Sequence, residues 1–321
     1  MFDIITIGTA TKDTFLRSKK IKVRDDIHFI SGKSMAFEAG SKVEIDEIIT
    51  SIGGGATNSA TTFARSGLKT ATCLNIGKDL AGREIKCFLK KERIKINFIT
   101  EEKKYLTSAS IILLEQQGER IVFVHRGAAI KSYQLKTKYL KTKWIYLSSV
   151  NGNLKVLKKI ASYVREKNIK LAFNPGSKEM KLGIRKLFPI LNVTTILILN
   201  RGEASDLMNL PYKSGKTIVR QACKLTPGIE IITDGKNGAD VIYEGELYSI
   251  GIYDWPLVDR LGAGDAFGSG FVSAYIKYRN IKKALQYAAA NASSVVTKIG
   301  AKAGIIRNFP KEPLKIKVET L

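Results

Sequence analysis

A glycine-rich segment near the C-terminal end, Asp259–Val272, reads DRLGAGDAFGSGFV and has the composition of a phosphate-binding turn. Gly262, Ala263 and Gly264 precede a run of small, mostly apolar residues that favours a helix. A glycine turn that opens a helix directs several backbone N–H groups into one concavity, and the helix dipole adds positive potential there. The segment therefore predicts an anion hole built from these three residues.

Asp265 follows this turn directly, where its negative charge would repel a phosphate unless another group lay between them. A substrate hydroxyl in that position would let the carboxylate accept its proton during phosphoryl transfer. A helix-capping role is the other interpretation, and it is the commoner one for an Asp after a glycine turn. The small residues Ala266, Gly268, Ser269 and Gly270 favour close approach of a ligand or of another backbone segment.

A second glycine-rich segment, Gly53–Ala60 with the sequence GGGATNSA, opens another predicted helix at Asn58. An Asn amide can bridge two sugar hydroxyls as donor and acceptor, although a flexible loop with an Asn cap would have the same composition. The chain contains no G-x-x-x-x-G-K-[ST] motif, and no G-x-G-x-x-G motif follows its first strand. Neither a Walker-type nor a nicotinamide-binding site is therefore predicted.

The charge balance is strongly positive: 53 Lys and Arg residues against 29 Asp and Glu residues give a net charge of +24. With 44% of its residues hydrophobic, the chain is not a disordered basic tail. It has no apolar run of about 18 residues, so no membrane span is predicted. A positive field is typical of proteins that bind polyanions, but a lysine excess is also common on solvated surfaces, and composition alone leaves both interpretations open.

Cysteine and histidine usage narrows the chemistry further. Cys73, Cys87 and Cys223 form no C-x-x-C pair, which favours reduced thiols and a cytoplasmic location over a disulfide framework. His28 and His125 are the only histidines and lie far apart in the sequence, so neither a histidine zinc site nor a Ser-His-Asp triad is predicted. The N-terminal MFDIITIG predicts a first strand and not a signal peptide.

The elements that must position these residues follow an α/β pattern. Continuous apolar segments such as 196–200 alternate with amphipathic helical patterns such as 154–167, which is typical of a buried parallel sheet made of βαβ units. Residues 14–52 and 97–127 break this rhythm, and the second range holds TSASIILLE and RIVFVH joined by QQGE, a predicted β-hairpin. We expect these two ranges to form a small, mostly antiparallel subdomain.

The early GGGATNSA and the late DRLGAGDAFGSGFV together resemble the ribokinase-like carbohydrate kinase family, often called PfkB. Segments between and after them agree with the resemblance: IGKDLAGREI, NPG at 174–176, NRGEAS at 200–205, TDGKNGA at 233–239 and ANASSVVTKIGA at 290–301. The resemblance covers nearly the whole chain. It implies a single domain over residues 1–321 with a doubly wound, mostly parallel sheet flanked by helices, and a β-sheet lid formed by residues 14–52 and 97–127.

The resemblance also implies an ATP-dependent kinase that uses Mg²⁺ and phosphorylates a hydroxyl of a sugar or sugar derivative. Asp265 then corresponds to the general base, and Gly262, Ala263 and Gly264 to the anion hole. The residues implied to bind the sugar are Asp13, Gly54 and Asn58. Those implied to organise Mg²⁺ through water and phosphate are Asn200 and Glu203, and those implied to surround the nucleotide and its phosphates are Asn174, Asn200, Glu203, Thr233, Gly235 and Asn291.

The sequence departs from the family pattern at several positions. Asp259 corresponds to a residue near the monovalent-cation site of some members, so a monovalent cation is a possible cofactor, but Arg260 and Leu261 replace the small hydroxyl residues usual there, which leaves potassium activation open. Gly55 stands where ribokinases carry Lys, which weakens a specific assignment to ribose. Arg126 replaces a carboxylate that faces the sugar in ribokinases, so it is expected either to bind an anionic substrate group or to lie solvated at a strand end.

Two other functions stay open. A nucleoside kinase of the same fold would share every catalytic residue, and Phe29 or Phe37 would stack on the base. A non-catalytic protein that binds nucleic acid is a remote alternative, for which the basic segment 131–143 is the densest cluster of lysines. A small-molecule substrate is the expected partner, nucleic acid and membranes are not, and a homodimer through the lid is a further expectation.

Overall fold

The computed structural model describes residues 1–28, 32–115, 119–130 and 140–321. Its strands are β1 (Phe2–Ile7), β2 (Thr11–Arg17), β3 (Val23–Asp25), β4 (Lys33–Met35), β5 (Glu47–Gly53), β6 (Thr70–Gly77), β7 (Lys95–Glu102), β8 (Ala109–Leu114), β9 (Arg120–His125), β10 (Thr142–Leu147), β11 (Lys170–Phe173), β12 (Ile196–Asn200), β13 (Ile229–Thr233), β14 (Ala239–Tyr243), β15 (Glu246–Ile250) and β16 (Ile316–Thr320). Its helices are α1 (Gly55–Arg65), α2 (Leu80–Lys91), α3 (Leu154–Lys167), α4 (Ser177–Met180), α5 (Gly183–Leu191), α6 (Arg201–Met208), α7 (Gly215–Ala222), α8 (Ala263–Tyr278) and α9 (Ile281–Val295).

A large sheet runs through the described chain in the order β16-β15-β14-β13-β12-β11-β10-β1-β6-β7. The pairs from β7 to β13 are parallel, and β14, β15 and β16 extend the β13 edge with antiparallel pairs. All eight residues of β6 are buried, as expected for a strand covered on both faces. The predicted mostly parallel α/β fold is confirmed.

Helices cover both faces of this sheet. One face packs apolar side chains of α3, α5, α6 and α7 against strand residues such as Leu147 and Leu197. The other face packs α1, α8 and α9 around Phe63, Trp144 and Phe271, and α2 joins α1 over the end of the sheet. Full burial of one such side chain stabilises the fold by roughly 1.5–3 kcal/mol, so these two layers hold the strand ends in fixed positions.

A smaller sheet, the lid, has the strand order β5-β2-β8-β9. Strand β2 pairs antiparallel with β5 and parallel with β8, and the antiparallel pairing of β8 with β9 confirms the predicted hairpin. Strand β7 pairs with β6 in the large sheet, so the predicted lid range 97–127 begins inside the large sheet. On its inner face the lid packs Phe15, Ile112 and Leu114 against Leu261 and Ile299, which places it directly over the loop that precedes α8.

Two features named from the sequence fall outside the described residues. Phe29 is one, and most of the basic segment 131–143 is the other, since residues 131–139 are not described. Phe37 is described and is 45% exposed. In the described parts of the chain, no helix has both the length and the apolar character needed to cross a membrane.

Candidate active site

Two adjoining cavities lie where the lid meets the carboxyl ends of the central strands. The larger one, of about 320 Å³, is lined by the residues that follow β1, β10, β11 and β12, together with the last residue of β13. The smaller one, of about 200 Å³, is lined on one side by the lid strands β2, β8 and β9. Gly262 and Asp265 line both cavities. Ligands of open α/β sheets bind at this edge of the strands, so we treat the pair of cavities as one candidate site.

The N-terminus of α8 forms the wall that the cavities share. Gly262 is the cap residue with φ 82°, in the left-handed region, and no side chain caps the helix. Glycine is required there for a second reason, because a Cβ at this position would lie 2.3 Å from the Cβ of Ala301. The N–H of Ala263 donates to the Arg260 carbonyl at 3.4 Å, whereas Gly262 and Gly264 line the larger cavity. The anion hole of Gly262, Ala263 and Gly264 therefore stays a prediction, which the positions of Gly262 and Gly264 at the start of the helix support.

The carboxylate of Asp265 lies at the junction of the two cavities and is held by one amide. Its Oδ2 accepts a hydrogen bond of 2.7 Å from Nδ2 of Asn58. Burial raises the pKa of Asp265, and the hydrogen bond from Asn58 and the charge of Lys302 oppose that rise. Asn58 and Asp265 are 207 residues apart in sequence, so the fold joins the two glycine-rich segments at one point.

Asp13 enters the smaller cavity from β2 and is only 5% exposed. Its carboxylate bonds to Thr11 and Ser110, and burial raises its pKa. A Cβ at Gly53 would lie 1.9 Å from Oδ2 of Asp13, so the glycine makes room for this carboxylate. Gly54 lines the same cavity. The predicted sugar-binding residues Asp13, Gly54 and Asn58 are therefore brought together.

Asn200 and Glu203 line the larger cavity and form a reciprocal cap on α6. The side chain of Asn200 accepts from the Glu203 N–H at 2.8 Å, and Oε2 of Glu203 accepts from the Asn200 N–H at 2.8 Å. Burial raises the pKa of Glu203 to about 6, and the charge of Asp265 adds to the rise. The same two side chains thus fix the helix start and present oxygen atoms to the cavity.

These oxygens meet the modest requirement of Mg²⁺, which keeps several waters and needs only one or two carboxylates besides phosphate oxygens. Across residues 1–28, 32–115, 119–130 and 140–321, no cluster of three or more His, Cys, Asp or Glu side chains is able to hold a metal ion unaided. Glu203 and Asn200 therefore fit a metal that arrives with a phosphate ligand and not a permanent metal centre.

The remaining predicted nucleotide residues divide into two groups. Asn174 and Thr233 line the larger cavity, and Asn174 also donates to the Ile198 carbonyl at 3.1 Å. Gly235 lies two residues beyond Thr233, with φ 54° and open space around its Cα, but it does not line the cavity.

Asn291 is fully buried and lines neither cavity. It donates to the Ala266 carbonyl at 2.8 Å and accepts from the Ile306 N–H at 3.1 Å. Its amide joins α9 to α8, so the structure gives no support to its predicted place beside the nucleotide.

Arg126 also lies outside both cavities. Its guanidinium donates to Oδ1 of Asn151 at 3.0 Å in an exposed environment, and Asn151 donates in turn to the Ala129 carbonyl. This exposed arrangement fits the second of the two expectations, an Arg solvated at a strand end, and the binding of an anionic substrate group by Arg126 stays a prediction.

Asp259 does not fit a site for a free monovalent cation, because its oxygens are already bonded. They accept from the N–H groups of Leu261 at 2.9 Å and Gly300 at 3.1 Å. The guanidinium of Arg120, which comes from lid strand β9, lies 3.2 Å from Oδ1 of Asp259. The positive charge next to the Asp259 carboxylate is therefore that of the Arg120 guanidinium.

Lys302 is a site residue that the motifs missed. It is 4% exposed, and its ammonium donates to Oδ1 of Asn58 and to the carbonyl oxygen of Ile52. The segment ANASSVVTKIGA, which carries part of the family resemblance, ends at Ala301, one residue before Lys302. The run GAKAGII that contains this lysine has no pattern that indicates an inward-pointing side chain. Ser148, Ser149 and Thr9, which line the larger cavity, were also missed because they follow strands without a recognisable motif.

A family model described as pfkB family carbohydrate kinase matches residues 22–307. The chain belongs to this family and is a phosphotransferase with an alcohol group as acceptor. A nucleoside kinase from Methanocaldococcus jannaschii is 25% identical over 274 residues, covering 84% of this chain and 86% of the relative. A ribokinase from Haemophilus influenzae is 25% identical over 260 residues, covering 79% and 83%.

Solved structures show the same fold. The ribokinase of Arabidopsis thaliana, in complex with ribose and ATP, superposes with a TM-score of 0.79 at 19% identity, and 95% of each chain is covered. This likeness confirms the predicted ribokinase-like fold, a large, mostly parallel sheet with helices and a small β-sheet lid.

Proposed function

We propose that the protein transfers the γ-phosphoryl group of ATP to a hydroxyl of a sugar or sugar derivative. The observation that carries this proposal is the meeting of two cavities at Gly262 and Asp265, which lets a phosphate donor and a hydroxyl acceptor approach one carboxylate from two sides. The acceptor oxygen forms a bond to the γ-phosphorus, and the bond from that phosphorus to the bridging oxygen of ADP breaks. Asp265 takes the proton of the acceptor hydroxyl.

The two sides of the site have different tasks in this proposal. The N–H groups at Gly262, Ala263 and Gly264 hold the negative charge of the transferring group, a preorganised stabilisation that is often the largest contribution to catalysis. Mg²⁺, when bound with the nucleotide next to Glu203 and Asn200, neutralises phosphate charge. On the nucleotide side, Asn174 and Thr233 also line the cavity at the strand ends. A role for Gly235 and Asn291 next to the nucleotide stays a prediction from the resemblance.

The smaller cavity favours a polyhydroxylated ring as the acceptor. Its polar groups come from Thr11, Asp13, Asn58 and Ser110, and such side chains bond sugar hydroxyls as donors and acceptors. On the lid side the wall becomes apolar at Ile112 and Val122. A nucleoside is the second candidate because this apolar part offers a surface for a base, and a relative named nucleoside kinase belongs to the same family.

Substitution Asp265→Asn tests the assignment of the base. The amide keeps the size of the side chain but cannot accept the proton, and removal of a general base lowers kcat by roughly 10²–10⁴-fold. ATP binding, followed by calorimetry, should be retained. Asp240→Asn is the matched control, because Asp240 is a partly buried carboxylate that also has a raised pKa and is bonded to Ser249, but it lies outside both cavities. Wild-type turnover in Asp265→Asn would reject the proposal.

A panel of pentoses, hexoses, sugar acids, sugar phosphates and nucleosides, followed by ADP release, distinguishes the two acceptor classes. The proposal expects turnover with a free sugar or sugar derivative at a higher kcat/KM than with any nucleoside. The reverse order would assign the protein to the nucleoside kinases and would leave the roles of Asp265 and the anion hole unchanged.

The cellular setting and the assembly are also proposals. Cys87 and Cys223 are exposed free thiols, which suits a reducing compartment such as the cytoplasm. Strand β9 is at the edge of the lid sheet and exposes Val122, Phe123 and Val124, and an exposed apolar edge strand is a ready surface for pairing. The predicted homodimer through the lid would cover this edge, and light scattering of Phe123→Lys against the wild-type protein tests it.

A further inference from the structure

Lys302, Asn58 and Asp265 form a continuous chain of side chains that ends at the reacting carboxylate. The ammonium of Lys302 donates to Oδ1 of Asn58, and Nδ2 of Asn58 donates to Oδ2 of Asp265 at 2.7 Å. The free oxygen, Oδ1 of Asp265, lies 3.6 Å from the point where a Cβ of Gly55 would be. Gly55 lines the larger cavity, so this oxygen faces the place where the reaction occurs.

The backbone and ammonium of Lys302 are fixed from several sides. Arg65 in α1 donates to the Lys302 carbonyl at 2.9 Å, and its charge is balanced by Glu92 at 2.6 Å. The ammonium lies 5.7 Å from the ring centre of Phe88 in α2. It bonds the neutral oxygens of Asn58 and Ile52 and is therefore set at a fixed distance from the carboxylates.

The charges that face this ammonium explain why its position matters. Burial lowers the pKa of Lys302 to about 7, while Asp13 in β2, Asp265 in α8 and Glu92 oppose that shift and Arg65 adds to it. In return the Lys302 charge opposes the rise in pKa that burial causes at Asp13 and Asp265. Each buried charge thus makes its partners easier to ionise.

The orientation of the Asn58 amide follows from the same contacts. A lysine ammonium is only a donor, so the oxygen of the amide must face Lys302 and its NH₂ group must face Asp265. Without Lys302 only the ionised carboxylate of Asp265 orients the amide, which can then turn over when Asp265 is protonated. An amide oxygen next to Asp265 favours the protonated carboxyl, because only that form has a proton to donate.

We infer that Lys302 is a positioning residue for phosphoryl transfer: it orients the amide of Asn58 and so keeps Asp265 ionised, with its free oxygen toward the acceptor hydroxyl. This inference rests on the proposed function and deepens it. It assigns to Lys302 no contact with substrate. The effect on kcat acts through the protonation and orientation of the base, and the same charge also opposes the rise in the pKa of Asp13.

The pH dependence of kcat tests this role. Lys302→Met keeps an unbranched side chain only one atom shorter and removes both charge and donor groups. We expect the acid limb of the kcat profile to move up by about one pH unit, so that kcat on that limb falls roughly tenfold. Above pH 8 the two profiles should converge, because Lys302 is then mostly neutral in the wild-type protein. Lys302→Arg should restore the wild-type limb, and KM for ATP should not change.

Two comparisons separate this effect from a loss of structure. Lys277→Met is the matched control: Lys277 donates to the Ser66 carbonyl away from Asn58, so its profile should coincide with that of the wild-type protein. The other groups that face Asp265 are Glu203 and Tyr146. Both are the same in every variant, and Lys302 is not among the causes of their pKa shifts. The pKa of Asp13 does depend on Lys302, but Asp13 is placed in sugar binding, so a change at Asp13 should alter KM for the sugar, whereas a change at Asp265 should alter kcat.

The outcomes are distinct. An equal loss of kcat at every pH in Lys302→Met, or coincident acid limbs, would reject the inference. If Lys302→Met does not fold, Lys302→Gln against Lys302→Arg gives the same test, since only the arginine keeps the charge, and coincident limbs would again reject it. These results leave the proposed function standing, whereas wild-type turnover in Asp265→Asn would reject that function itself.

Discussion

The two cavities of the site differ in what their walls are made of. The larger cavity presents backbone N–H groups of α8 and a helix cap made by Asn200 and Glu203. The smaller one depends on buried charged and polar side chains from distant elements, with Asp13 in β2 and, behind its wall, Lys302 after α9. Backbone geometry is fixed by a few local residues, whereas the side-chain wall exists only when the whole fold is assembled. The difference predicts which substitutions damage catalysis and which damage recognition or stability.

Among the substitutions that compare the two walls, the largest effect is expected on the backbone side, for Gly262→Ala. A Cβ there would lie 2.3 Å from the Ala301 Cβ, at a φ of 82° that disfavours any side chain, so the turn must shift and its N–H groups with it. Loss of one oxyanion donor lowers kcat by about 10²–10³-fold, with little change in KM for the sugar. Gly251→Ala, which adds the same methyl group in open space, is the control. A wild-type kcat in Gly262→Ala would show that this turn does not hold the transferring group.

On the side-chain wall, Asp13→Asn should change recognition more than rate. Hydrogen bonds to a charged group contribute about 1.5–3 kcal/mol, so KM for the sugar should rise roughly 10–100-fold, while KM for ATP stays the same. Steady-state kinetics with each substrate varied in turn measures this split. A fall in kcat with an unchanged sugar KM would move Asp13 from substrate binding to catalysis and would weaken the division between the two walls.

The third effect is on the free energy of unfolding and concerns Lys302, which is connected through Asn58 to Asp265 between the two cavities. Its pKa is about 7 in the folded protein against 10.5 as the reference value, so between these pH values the unfolded chain binds a proton that the folded chain does not. Stability therefore rises with pH in this window. From pH 7 to pH 9, the free energy of unfolding of the wild-type protein should increase by about 2 kcal/mol relative to Lys302→Met.

Urea unfolding at the two pH values measures this difference, and the subtraction removes the contributions of all other groups. A difference that is the same at both pH values would show that Lys302 is not held neutral by burial. If both the unfolding result and the shift of the kcat profile are obtained, protonated Lys302 lowers the free energy of unfolding and at the same time keeps Asp265 ionised.

The backbone wall was accessible from sequence because its signals are local. Gly262, Ala263, Gly264 and Asp265 are consecutive. Asn200 and Glu203 were found through the family resemblance, which was visible because the two residues are only three positions apart. The α/β fold and the lid hairpin follow from apolar periodicity in the same way. In such segments a few neighbouring residues decide the local structure.

The side-chain wall was less accessible because it depends on long-range contacts. Lys302 lies 244 residues from Asn58, and Arg120 lies 139 residues from Asp259. For Arg126 the sequence left two positions open, facing the substrate or solvated at a strand end, and its guanidinium is exposed and bonded to Asn151. The direction in which a long side chain points is set by the elements that surround it, which no local pattern records.

The smallest effect is expected where the lid is joined to the body, at Arg120 and Asp259. Their side chains are 32% and 3% exposed, so Arg120→Met leaves a buried carboxylate with only two backbone donors. Loss of one partner of a fully buried pair costs about 3–5 kcal/mol. The partial exposure of Arg120 and the two remaining N–H bonds reduce the expected loss to about 1–2 kcal/mol, measured by urea unfolding.

Arg17→Met is the matched control, because Arg17 pairs with Glu47 in the same lid sheet with both side chains largely exposed, and such pairs contribute about 0–1 kcal/mol.

Since Arg120 supplies the positive charge at Asp259, wild-type activity should be equal in potassium and in choline salts, and potassium should raise the activity of Arg120→Met. Equal losses of stability in the two variants, or potassium activation of the wild-type enzyme, would show that the lid arginine does not take the place of a cation at Asp259.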